Sequence, residues 1–274
     1  MPEKVPTQDI LQAFNTSGKP ELLDGGQGTC FRVGNIVLKP TDNPIETTWL
    51  AEINNNLQSS EFRVPKYKKV NNDCFVFEGW TASEFLEGAH KKDNYTKAIE
   101  LSKIFHNELK DIKKPDWFDK KTDVFAIADK IAWGELPLPN FEPAKKQLEN
   151  IFELLKENNL PNQLVHGDWG PGQILFSDTL PPTILDMTPY FRPANYPIAD
   201  MLISALANDN LDVSIINLGK NIKEFDQLLL RALVFRTCTY IEFQIHPENN
   251  YDWTGEIKKY LDLFEVIKNL IKPK

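Results

Sequence analysis

The chain has 274 residues, 41% of them hydrophobic and 26% charged, enough to bury one large core or two modest ones. Its formal net charge of -8 argues against a general nucleic-acid binder, whose phosphate contacts need a basic surface, and no apolar run approaches the roughly 18 to 20 residues of a membrane span. The opening MPEKVPTQDILQAF has no apolar signal segment, and Cys30, Cys74 and Cys238 form no CxxC pair, so reduced thiols and a cytoplasmic location are expected.

Residues 20–88 have the texture of strands interrupted by one helix. In GGQGTCFRVGNIVLKP, Cys30, Phe31 and Val33 run into the turn pair Gly34-Asn35, and Ile36, Val37 and Leu38 run out, which predicts a β-hairpin ended by Pro40. Gly25, Gly26 and Gly28 stand at its start, where a backbone without side chains can approach a phosphate and offer N–H groups; a plain tight turn is the alternative. After the cap Asp42-Asn43-Pro44, residues Ile45, Trp49, Ile53 and Leu57 recur every fourth position and predict one buried helix face. Two further strand-like runs, near Val64 to Val70 and Cys74 to Leu86, are separated by the turn residues NND.

From about residue 93 the apolar period lengthens to that of helices: 95–109, 143–159, 196–207, 223–245 and 254–271. The exception is 164–186, where Leu164-Val165, Ile174 to Phe176 and Ile184-Leu185 are three short apolar runs, predicting a small β-island inside a helical lobe. The domain division expected is 1–87 and 88–274.

Candidate chemistry gathers in that island. In LVHGDWGPGQILF, His166-Gly167-Asp168 leaves the first short strand, Gln173 opens the second, and Asp186 ends the third. Two carboxylates and an amide oxygen can then converge, the hard ligands that magnesium takes beside phosphate. At the front of the chain Lys39 ends a strand eleven residues beyond Gly28, a compact positive charge under the glycine turn, with Glu52 on the next helix able to hold it. Each also has an ordinary reading: Asp168 as a turn residue, Lys39 as a solvated strand end, Glu52 as a surface acid. Trp80, Trp133 and Trp169 either line a pocket or pack, and Arg192 either meets an anion or pairs with a local acid.

Taken in order, GGQG, VLK, LVHGDWGPGQILF and TILD resemble the aminoglycoside phosphotransferase and choline kinase group, small-molecule relatives of the protein kinases. That group usually carries HGD, four residues and Asn; here Gln173 replaces the Asn. YFRPANYPIADML supplies Asp200, similar to the structural Asp that opens a helix behind the loop, although the usual GDP before it is replaced by RPANYP. The resemblance implies an α+β, bilobal protein kinase-like fold, with a small antiparallel-sheet N-lobe carrying one helix and a larger, mainly helical C-lobe.

It also implies roles. Asp168 accepts or orients the proton of a substrate hydroxyl, Asp186 and Gln173 hold magnesium, and Lys39, paired with Glu52, binds phosphate oxygens beneath the glycine turn. His166 braces the loop. ATP is the nucleotide implied, with GTP left open, and the acceptor is a small molecule such as an aminoglycoside, amino-sugar or choline-like compound. The acids Glu224, Asp226, Glu242 and Glu248 suit either a polycation or a solvated face. The alternative is a nucleotide-binding scaffold whose Gln173 no longer supports metal binding. Protein phosphorylation is disfavoured because the HRD arginine and an APE-ended segment are missing. Oligomeric state is not legible.

Overall fold

The computed structural model describes residues 5–23, 28–70, 73–209, 211–246 and 248–271; Gly25 and Gly26 lie outside them. The chain divides into two compact units, Met1–Asn94 with Pro171–Met187, and Tyr95–Gly170 with Thr188–Lys274. The expected cut after residue 87, with everything beyond it in one lobe, differs from this grouping. The reason is strand pairing: residues 171–187 lie with the first unit because their strands join one of its own.

The first unit begins with a short helix, α1 (Gln8–Ala13), capped by the Thr7 hydroxyl. Among the described residues the single helix expected for this lobe is therefore joined by a second. The strands β1 (Glu21–Leu22), β2 (Phe31–Val33), β3 (Ile36–Pro40), β4 (Tyr67–Lys68), β5 (Val76–Phe77) and β6 (Trp80–Glu84) form an antiparallel sheet in the order β1-β2-β3-β6-β4, with β5 also on β6. The β2–β3 hairpin is the one anticipated around Gly34-Asn35, with Phe31 opposite Leu38. Alternate positions of these strands point inward, and Phe31, Val33, Ile36, Leu38, Trp80 and Ala82 make a core with Ile10 and Leu11 of α1 and with Phe14, which caps its end. The run from Cys74 to Leu86 is two strands, broken by a turn at Glu78-Gly79, both with positive φ.

Helix α2 (Pro44–Asn56) starts where the cap predicted, with Asn43 Oδ1 accepting from the Glu46 N–H at 3.2 Å and proline at the first turn. Its buried residues are Ala51, Ile53 and Asn54, whereas Ile45 is 63% exposed. A strict four-residue spacing advances about 40° per step on a helix of 3.6 residues per turn, so Ile45 and Leu57 cannot share one narrow stripe.

The three-run island is not one sheet. Strand β9 (Ile174–Phe176) pairs with β10 (Thr183–Ile184) on one side and with β7 (Ala89–His90) on the other, all within the first unit. Strand β8 (Asn162–His166) belongs to the second unit, where it forms an antiparallel ribbon with β11 (Pro189–Pro193), His166 opposite Pro189 and Asn162 opposite Pro193.

The rest of the second unit is helical: α3 (Tyr95–Leu109), α4 (Val124–Ala132), α5 (Ala144–Phe152), α6 (Tyr196–Asn208), α7 (Phe225–Ile245) and α8 (Thr254–Ile271). Apolar residues surround α7 on every side, as a central helix requires, and it packs against α4, α6 and α8. Four of the five expected helices stand close to their predicted bounds. The fifth, expected over 143–159, stops at Phe152, and α4 was not anticipated because its nine residues span little more than two turns. None of the three cysteines is in a disulfide. Among the described residues no helix is long and apolar enough to cross a membrane.

Candidate active site

In the first unit, antiparallel pairing sets Lys39 opposite Thr81 near the end of β3. Its ammonium meets the Asp186 carboxylate at 2.9 Å, with both side chains about half exposed. Burial alone would lower the Lys39 pKa, but the adjacent carboxylate outweighs it and the value is raised. The same charges reach Cys30 and Tyr67, whose pKa values burial pushes up, so side chains from β3, β4, the residue before β2 and the segment after β10 share this corner.

Asp186 follows β10 with φ at +45°, a left-handed backbone that non-glycine residues adopt at a cost of order 1–3 kcal/mol and that recurs at functional sites. The Leu185 N–H donates to the Gln173 carbonyl at 2.9 Å, so the β9–β10 register continues one step past the strands and brings Gln173 beside the residue preceding Asp186. Gly28 has φ at +64° and open space where a side chain would start, as a close backbone approach to a ligand requires.

Glu52 corrects the expected pairing. It lies on the exposed face of α2, turned about 100° from its buried neighbours Ala51 and Ile53, and no ion pair joins it to another described residue. Lys39 has taken the carboxylate at position 186 instead.

In the second unit the HGD loop is braced from beneath. The His166 N–H donates to His106 Nε2 at 3.0 Å, and the other ring nitrogen of His106 lies 3.0 Å from Ser102 Oγ. Since Nε2 accepts, the His106 proton sits on Nδ1 and points at the hydroxyl. The Thr188 N–H donates to His166 Nδ1 at 3.4 Å and the Gly167 N–H to the Thr188 carbonyl at 2.7 Å. Trp169 donates from Nε1 to the Ala98 carbonyl at 3.0 Å and stacks on Phe105. Asp168 is left exposed between these anchors.

Behind the loop Asp200, 1% exposed inside α6, receives two hydrogen bonds from Arg236 of α7, one at 2.9 Å from Nε and one from Nη2 to Oδ2. Burial raises the Asp200 pKa and Arg236 opposes it, while the charge of Asp168 is near enough to act on both partners. Arg236 carries no sequence signal and His106, without metal spacing, reads as an ordinary polar residue, because each sits on an ordinary helix far along the chain from the residue it contacts. Arg192 resolves to the local acids, with Nε and Nη2 on Asp129 and Nη1 on Glu135 at 2.6 Å. Trp80 is core, and the Trp133 ring has the guanidinium groups of Arg192 and Arg231 at 5.0 and 4.5 Å from its centroid.

No protein-family model matches the chain, and no curated protein matches it in sequence. Solved structures do. An aminoglycoside phosphotransferase from Alicyclobacillus acidocaldarius superposes with a TM-score of 0.61 at 13% identity, over 98% of this chain and 95% of that one. A spectinomycin phosphotransferase, solved with ADP and spectinomycin, gives 0.58 at 12% identity over 97% and 98%. The fold is that of the aminoglycoside phosphotransferases. A choline/ethanolamine kinase family protein from Mesorhizobium loti shares this kinase-like fold, with a TM-score of 0.57 at 14% identity over 94% and 90%. The α+β, protein kinase-like architecture expected from the motifs is therefore present, as a small antiparallel sheet unit and a mainly helical one.

Proposed function

We propose that the chain is a phosphotransferase that moves a phosphoryl group from ATP to a hydroxyl of a small molecule. The observation that carries this reading is the 2.9 Å contact between Lys39 and Asp186, which sets the expected phosphate-binding ammonium beside the expected metal-binding carboxylate although 147 residues separate them in sequence. The neighbours' nucleotides, ADP in one and GDP in an aminoglycoside 2'-phosphotransferase, support nucleotide binding, with ATP preferred and GTP the alternative donor.

In this reading Lys39 binds phosphate oxygens, and the Gly25, Gly26 and Gly28 segment covers them with backbone N–H groups. Asp186 and Gln173 would hold magnesium: both bring hard oxygen donors to the open end of one hairpin, and few protein oxygens suffice because water and phosphate complete the shell. Bound magnesium would offset the charge that develops on the transferred group. Asp168 accepts the proton of the acceptor hydroxyl and orients its oxygen, while His106, His166 and Trp169 keep the loop from moving. Glu52 has no part in this scheme. The protein acts in the cytoplasm, on a free small molecule rather than on nucleic acid or membrane.

The acceptor class follows from the fold's neighbours only in outline. Spectinomycin and kanamycin are bound by two of them, so amino-sugars, aminoglycosides and choline-like alcohols head the panel to be tried. The test is transfer of labelled terminal phosphate from ATP, with and without magnesium, to each member of that panel. Magnesium-dependent product supports the assignment. Nucleotide binding with no product from any acceptor favours the scaffold reading, in which Gln173, one methylene longer than Asn, no longer places its oxygen for a metal.

A further inference from the structure

A cavity of about 530 Å³ opens within the second unit, lined by a 3₁₀ segment, Val213–Gly219, the start of α7 and the end of α8. Phe225 and Leu229, both buried, form its floor, and Gly219 lies so close to the Phe225 ring that a Cβ built on it would stand 2.0 Å away. That contact holds the floor in place. Phe225 and Arg236 are eleven residues apart on α7, about 16 Å at 1.5 Å per residue, so the cavity is separate from the ion pair behind the HGD loop. The proposed transfer reaction makes no use of it.

Apolar surface makes up the greater part of the lining, with Val213, Ile216 and Leu270 extending the wall from Phe225 and Leu229. Three charged side chains line it as well: Lys220, Glu224 and Asp226. Glu224 has the Lys223 ammonium at 3.7 Å, so its charge is met within the chain. Asp226 accepts from the Gln227 amide at 3.3 Å, a neutral donor that leaves the negative charge in place. Lys220 is exposed and, among the described residues, pairs with no carboxylate. An ammonium and a carboxylate therefore line one cavity without forming an ion pair with each other, as they would if they stood within about 4 Å.

A concave site of this size, mostly apolar with a few placed charges, is the general form of a small-molecule pocket. We infer that this cavity is a second ligand site, separate from the candidate active site, that takes a zwitterion with an apolar body: a primary ammonium and a carboxylate on a skeleton the size of an aromatic amino acid. The ligand's carboxylate meets Lys220, its ammonium meets Asp226, and its body lies on Phe225 and Leu229. An amine without a carboxylate would bring its charge up to Lys220, and an acid without an amine would bring its charge up to Asp226, so each meets one repulsion for one attraction. A neutral apolar solute gains from burial alone and leaves both charges unanswered.

The experiment is calorimetric titration of the full chain, at low salt and without nucleotide, with L-phenylalanine, 3-phenylpropionate, phenethylamine and glycine. L-Phenylalanine saturates a single site. The other three lack the ammonium, the carboxylate and the apolar body in turn, and each binds at least about tenfold more weakly. The variants Asp226→Asn and Lys220→Met, changed at half-exposed and exposed positions, keep their circular dichroism and melting temperature and lose about tenfold or more in affinity for L-phenylalanine. Their losses are crossed: Asp226→Asn no longer prefers L-phenylalanine to 3-phenylpropionate, and Lys220→Met no longer prefers it to phenethylamine. The variant Lys39→Ala leaves L-phenylalanine binding unchanged. No saturation by L-phenylalanine up to about 10 mM overturns the inference, as does parent affinity in either charge-removing variant. Phenethylamine or 3-phenylpropionate binding the parent chain as tightly as L-phenylalanine overturns it as well. Loss of binding in Lys39→Ala does the same, since the ligand would then sit beside Asp186.

Discussion

His106 is buried among Ser102, Phe105, Trp169 and the His166 backbone, and this environment holds its pKa down to about 3 because burial disfavours the imidazolium and the neighbouring His166 adds to the penalty. The unfolded chain binds that proton near pH 6.5, the folded one only near 3, so the unfolded state gains protons first as pH falls. Stability contributed by His106 is therefore complete above about pH 6.5 and lost progressively below it, by about 2 kcal/mol at pH 5. Urea denaturation between pH 7.5 and 5 measures this slope, and His106→Gln flattens it. The exposed acids behave differently. Replacing Asp168 by Ala lowers turnover by a factor of a thousand or so, the order expected for loss of a positioned base, and leaves nucleotide affinity within about twofold. Glu52→Gln changes neither turnover nor melting temperature, since that side chain is exposed on α2; a loss of activity there would restore the pairing with Lys39 that the sequence suggests.

At the scale of elements, the β8–β11 ribbon holds Asp168 in place. Gly167 lies so close to Tyr190 that a Cβ built on it would stand 2.0 Å from the buried ring, and its N–H is already committed to the Thr188 carbonyl. The glycine is required by close approach, not by its φ. Gly167→Ala must displace Tyr190 or open the ribbon, costing about 1–3 kcal/mol, seen as a lower urea midpoint with an unchanged m-value. The ribbon illustrates what was readable locally. Leu164-Val165 predicts a strand and HGD a loop, but the partner strand PYFRP, bounded by prolines and following the strained Asp186, has no such local signal.

For the whole molecule, the proposed function requires that a magnesium–nucleotide complex bind the native state alone. Mass action then raises stability by about 2.7 kcal/mol at a hundredfold excess over Kd, a rise of several degrees in melting temperature for a chain of this size. Differential scanning calorimetry with magnesium and ATP, then with GTP, gives the shift; EDTA removes most of it, and Lys39→Ala or Asp186→Asn abolishes it. Absence of a shift with either nucleotide at millimolar concentration would remove nucleotide binding from the proposal and leave the fold untouched.

Local rules sufficed for a large part of this protein. Helices α3, α6, α7 and α8 follow from apolar periods of 3.6, the β2–β3 hairpin from a glycine-asparagine turn, and the candidate loop from His, Gly and Asp between two apolar runs, because each depends on residues within a few positions of one another. Partners far apart in the chain were decided only by the packed structure. Strand β8 chose β11, β9 chose β7 and β10, and Lys39 chose Asp186 over Glu52. Such choices are settled by which faces can be buried together and which charges then remain within reach, and the spacing of residues along the chain holds neither quantity.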